Sequence, residues 1–247
     1  MTGSPLRTAI VAGLVRHKNA KQAAGAQAYL KSTMPCYGVQ LPLLREICVE
    51  AFGRFPISMA ADWRRAVTEL WENATHREER YAALELAAHP PYQRFISLAL
   101  LPVYRRMIQE GAWWDLVDPL AQRVAVLLAT YPDRIKPTLR AWARYDNIWL
   151  RRVAIISQTG FKEQTDPVLL YDCIAPSIES TEFFLRKAIG WALREFAKTN
   201  PAEVKRYLAA EGDRLAPLSK REALKGVTLS TKSSKQVAAK RPVRRAK

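Results

Sequence analysis

The chain has 247 residues, 49% of them apolar, and a formal net charge of +16; that apolar share excludes global disorder and supplies a core for one large domain, a repeat array or two small domains. Seven Lys/Arg and no acids lie from Gly226 onward, so +16 less 7 leaves +9 on residues 1–225, a basic balance that points to a polyanionic partner such as nucleic acid or an acidic membrane surface. No apolar run approaches the roughly 20 residues that a membrane span needs, and three cysteines, odd in number and without CxxC spacing (Cys36, Cys48, Cys173), read as buried thiols of a reducing cytoplasm.

The first segment, MTGSPLRTAIVAGLVRHK, places Arg7 ahead of an apolar stretch, as a signal peptide does. Arg16 and His17 interrupt that stretch and no small-residue cleavage site follows, so an amphipathic first helix is expected. Further along, LPLLREICVEAF, FFLRKAIGWALREFAK and VKRYL carry apolar residues every three to four positions. Pro56, Pro90, Pro91, Pro132, Pro167, Pro176, Pro201 and Pro217 mostly fall between such runs, as in a chain of short, numerous helices. Sustained period-two alternation and Asn-Gly or Asp-Gly turns are missing from the sequence. The expected fold class is all-α.

A basic residue followed by apolar ones recurs at Arg80, Arg152, Lys187 and Arg221, with intervals of 72, 35 and 34. A period near 35 accounts for all of them if 72 spans two repeats. The intermediate repeat then centres near residue 116, in WWDLVD. Two-helix repeats of this length predict an α-solenoid of HEAT-like helix pairs, in which equivalent helices line one concave, basic groove. Trp114 and Asp118, then Arg152, then Trp191 and Arg194 fall on equivalent helices of three successive repeats. The folded portion is assigned to residues 1–225, and the polar, basic remainder, 226–247, is read as a disordered tail that either adds phosphate affinity or is merely solvated.

Within GAWWDLVDPLAQR, Trp114 and Asp118 stand at i and i+4, which a helix stacks on one face. Trp113 and Trp114 diverge by about 100° on a helix, so one is expected in the core and one on the groove. Asp118 has two open readings: it precedes Pro119 and fits an N-cap, or it is a charge held beside an aromatic wall. Trp191 beside Gly190 is either core or a site of close approach. Arg152 and Arg194 are surface charges, intrahelical partners or phosphate contacts. His17, His76 and His89 are scattered without ligand spacing, so no metal and no cofactor is expected; phosphate-loop, dinucleotide and GxSxG motifs are absent from the sequence. Chemistry here falls to carboxylates, aromatics and cations.

The blocks MPCYGVQLPLLREI, LWENATHREERYAALELA, WWDLVD, DNIWLRRVAI, FFLRKAIGWALREFAKTNP and LAPLSKREALK, in order from about Tyr29 to Lys225, resemble the AlkD-type DNA alkylation repair proteins, bacterial DNA glycosylases built from HEAT-like repeats. The resemblance implies that Trp114, Asp118 and Trp191 are catalytic cleft residues and that Arg152 contacts DNA. Tyr29, Gln40 and Arg194 match supporting positions. It implies hydrolysis of N3- and N7-alkylated purines from duplex DNA. No lysine stands out as a placed amine for a lyase step, so a monofunctional, cofactor-free enzyme is expected, a monomer because the DNA supplies the partner surface, in the cytoplasm at the nucleoid. Pro119 and the basic tail depart from the family pattern. Two rival functions remain in view: a non-catalytic binder of distorted or branched DNA, and a scaffold for an acidic protein.

Overall fold

The computed structural model describes residues 3–239, with side chains placed through residue 228. The described residues contain helices and turns and no strand, as the 3.6-residue periodicity demands. They fall into two compact units, Met1–Gly111 and Ala112–Lys247.

The first unit holds α1 (Pro5–Arg16), α2 (Ala20–Leu30), α3 (Leu41–Arg54), α4 (Ala60–Glu72), α5 (Arg77–Ala88) and α6 (Leu101–Gly111), with short 3₁₀ turns before α6. The amphipathic first helix is present: it buries Leu6, Ile10 and Leu14, and Ser4 Oγ accepts from Arg7 N to cap it. α1 packs on α3, α4 and α5. Two buried glutamates at the start of α5 organise the loop before α3. Glu78 accepts from the backbone N–H groups of Tyr37, Gly38 and Val39 at 2.9, 2.7 and 3.2 Å. Glu79 accepts from Tyr37 Oη, Thr75 Oγ1 and the Arg7 guanidinium. Burying these carboxylates without such partners would cost several kcal/mol each. Gly38 has φ of +80°, and a Cβ there would lie 2.2 Å from the Asn19 carbonyl oxygen, so only glycine fits this turn.

The second unit holds α7 (Trp114–Thr130), α8 (Pro132–Trp142), α9 (Ile148–Ile156), α10 (Pro167–Ile174), α11 (Phe183–Ala197), α12 (Pro201–Glu211) and α13 (Pro217–Ala239). Proline opens α8, α10, α12 and α13, where its missing N–H and fixed φ are harmless. Asn147, Asp166 and Asn200 cap α9, α10 and α12, each satisfying N–H groups that the first turn leaves open. α7 pairs with α8, α9 with α10 and α11 with α12, while α7, α9, α11 and α13 pack on one another in series. These are HEAT-like helix-pair repeats, and the row α7, α9, α11, α13 carries the 35-residue anchors Arg152, Lys187 and Arg221.

One expectation needs correction: Cys48 and Cys173 are buried, but Cys36 is partly exposed. Helix α13 crosses the boundary drawn before Gly226 and continues to Ala239, with Val227 buried. The remaining part of the segment read as a disordered tail, 240–247, lies outside the described residues.

Candidate active site

α7 begins at Trp114, with Trp113 as its extended N-terminal flanking residue. Pro119 therefore lies inside the helix, and Asp118 sits in the second turn and caps nothing. The capping reading of Asp118 is thereby overturned. Trp113 is extended, so the helical angle between the two tryptophans does not apply, and it is half-buried where one of the pair was expected in the core. Trp113 packs at 5.1 Å from the Phe184 ring and 6.0 Å from the Trp149 ring, whereas Trp114 lines a cleft.

The cleft has a volume of about 300 Å³ and is bounded by Trp114 from α7, Arg152 from α9, and Phe184, Trp191 and Arg194 from α11, with Glu222 from α13. Asp118 is not among the residues that line the cleft and is paired with Arg152, which is. Arg152 Nε donates to Asp118 Oδ1 and Nη2 to Oδ2, both at 2.7 Å, and Nη1 donates to the Phe184 carbonyl at 2.8 Å. This fork makes a bidentate, charge-assisted pair of the strongest kind. Arg152 is only 5% exposed, and the Asp118 side chain 20%. The outward phosphate contact expected of Arg152 thus meets a side chain with three nitrogens already committed within the protein. Two of its five N–H groups remain for another acceptor.

At the other end of the cleft Arg194 Nη1 donates to Glu222 Oε2 at 2.6 Å, and Lys225 Nζ donates to Oε1 at 2.7 Å. Lys187 Nζ stands 3.9 Å from the same carboxylate. The hydrogen bond from Lys225 is the main influence lowering the Glu222 pKa, with burial opposing it and the other two cations assisting. Glu222, Phe183 and Phe184 were not named as site residues from sequence, and Lys187 was read only as a repeat anchor. Phe184 and Lys187 belong to FFLRKAI, whose repeat position carried the signal; Glu222 is one acid within REALK and has no local mark.

Gly190 shows why α13 comes so close. A Cβ at Gly190 would stand 2.7 Å from Glu222 Cβ and 3.1 Å from the Ser219 carbonyl oxygen. Of the two readings of Trp191, core packing is not met: Trp191 is half-buried and lines the cleft, and the neighbour that Gly190 admits is a helix.

Tyr29 and Gln40 belong to the first unit. Tyr29 is 74% exposed on α2. Gln40 precedes α3 and lines a separate cleft of about 310 Å³ with Gln22, Gly38 and Glu78, its loop pinned by the Glu78 carboxylate. Among the described residues no group of three or more His, Cys, Asp or Glu is assembled that could hold a metal ion, and no helix is long and apolar enough to cross a membrane.

A family model described as DNA alkylation repair enzyme matches residues 10–227. Among solved structures, the chain is similar to a predicted DNA alkylation repair enzyme from Enterococcus faecalis, with 30% identity, a TM-score of 0.72, and coverage of 83% of this chain and 94% of that one. A Streptococcus mutans UA159 protein and AlkD2 from Streptococcus mutans share the fold at 18% identity each, with TM-scores of 0.54 and 0.53; both comparisons cover 76% of this chain, and 92% and 88% of theirs. No curated protein matches.

Proposed function

The chain belongs to the DNA alkylation repair enzyme family, and from that premise we propose that it is a DNA glycosylase hydrolysing the N-glycosidic bond of cationic alkylated purines, of the N3-methyladenine and N7-methylguanine type, in duplex DNA. The observation that carries the reading is a bidentate Asp118–Arg152 pair at the edge of a cleft walled by Trp114 and Trp191.

Alkylation at N3 or N7 gives the purine a positive charge, so it leaves with the C1′–N bond pair as a neutral base and needs no strong acid. Positive charge then develops on the deoxyribose. A fixed carboxylate stabilises it without reorganisation cost. Arg152 acts here as a positioning residue: it consumes two acceptor sites of Asp118 and fixes the plane of the carboxylate. A carboxylate offers about four such sites, so two remain to face the sugar or orient the incoming water. Water adds at C1′, its proton is lost, and an abasic site results. Trp114 and Trp191 supply faces for the cationic base, worth roughly 0.5–2 kcal/mol by cation–π attraction. Arg194, Tyr29 and Gln40 remain proposed DNA contacts.

The test is release of free 7-methylguanine from methylated duplex DNA by the wild type and Asp118→Asn, with melting temperature and DNA affinity measured alongside. We expect release by the wild type and a loss of about a hundredfold or more in the variant at retained affinity. Equal release would remove Asp118 from the chemistry, and binding without release by the wild type would favour a non-catalytic DNA binder.

A further inference from the structure

We infer that Glu222 is a specificity-determining residue, whose carboxylate occupies the cationic rim of the cleft and thereby weakens its hold on undamaged duplex DNA. The inference rests on the reading of the cleft as a DNA-damage site. Glu222 reaches the rim because α11 and α13 cross at unusually short range, with a glycine on each helix. A Cβ on Gly190 would strike Glu222 Cβ, and one on Gly226 would stand 2.4 Å from the Arg194 carbonyl oxygen. Ser219 Oγ donates to the Arg186 carbonyl at 2.8 Å and fixes the register. The result is one carboxylate, its side chain 9% exposed, shared by Arg194, Lys225 and Lys187.

A phosphate approaching these cations has to compete with Glu222 for their N–H groups and also meets its negative charge. An ordinary base brings nothing to offset that repulsion. A cationic purine seated among Trp114, Trp191 and Phe184 does, because the same carboxylate attracts it. The effect of Glu222 therefore has opposite signs on undamaged backbone and damaged base, which a purely structural residue would not produce.

The experiment compares wild type, Glu222→Gln and Glu222→Asp for affinity to an undamaged duplex across a salt series, and for excision of 7-methylguanine in the presence of undamaged competitor. The Gln variant is expected to bind undamaged duplex about threefold to tenfold more tightly at low salt. Its log–log salt slope should steepen by up to about 1 as a cation is freed for phosphate, and excision should become more sensitive to competitor. The Asp variant, which keeps the charge, should retain wild-type affinity. If Gln melts early, Glu222→Met, of similar length and uncharged, takes its place. Unchanged or weaker binding by the uncharged variants overturns the inference while leaving the glycosylase reading intact. A wild type that fails to bind DNA at all overturns that reading instead.

Discussion

Arg152→Lys separates charge from geometry at the Asp118 carboxylate. Lysine keeps the positive charge but has no planar fork, so it cannot donate to both oxygens and to the Phe184 carbonyl as Arg152 does. The carboxylate then loses its fixed plane, and small misplacements of a catalytic group are expensive. Excision is expected to fall about tenfold or more, with DNA affinity nearly unchanged because the net charge is preserved. Single-turnover excision alongside binding at one salt concentration checks this. A variant that binds poorly yet excises normally once bound would return Arg152 to the phosphate role that its type and repeat position suggest.

At the scale of the helix, Pro119 is the feature whose local signal misleads. Asp-Pro is a good helix start, yet α7 begins five residues earlier because Leu116, Val117, Leu120 and Ala121 are all buried and their spacing requires one continuous helix through them. Tertiary burial outweighs a cap of about 1 kcal/mol. Proline at that point removes the N–H that would reach the Asp115 carbonyl. Pro119→Ala restores it, and Pro119 is solvent-exposed, so no packing is lost. A gain of about 1–2 kcal/mol is expected after allowing for the chain entropy that proline removes from the unfolded state, read as a rise of a few degrees in Tm with excision maintained. A lower Tm would mean that restriction of the unfolded chain dominates. The repeat was legible because a 35-residue interval survives in basic and apolar positions; it placed Trp114, Asp118, Arg152, Trp191 and Arg194 on α7, α9 and α11. The Asp118–Arg152 pair and the Glu222 cluster were not legible, because they depend on how helices 28 to 35 residues apart cross. Gly190 and Gly226 at the α11–α13 crossing hint at contact without naming the partner.

For the molecule as a whole, the net charge of +16 includes cations of the cleft that have their own counter-ions and a terminal segment that has none nearby in sequence. Five of the eight residues 240–247 are Lys or Arg, and none is acidic. At the cleft, Asp118 and Glu222 already engage Arg152, Arg194 and Lys225, so these cations yield less phosphate attraction than their number implies. Sequence-independent affinity should therefore reside disproportionately in the terminal segment, while the choice of damaged base resides in the cleft. Deleting residues 240–247 is expected to weaken binding to undamaged duplex and to flatten the log–log salt dependence by about 0.9 for each cation that engages a phosphate, to a ceiling near 4.5. Excision from the bound complex, measured at saturating protein, should be unchanged. A salt slope unaltered by the deletion would assign the non-specific affinity to the folded units, and slower excision at saturation would place part of this segment at the damaged site.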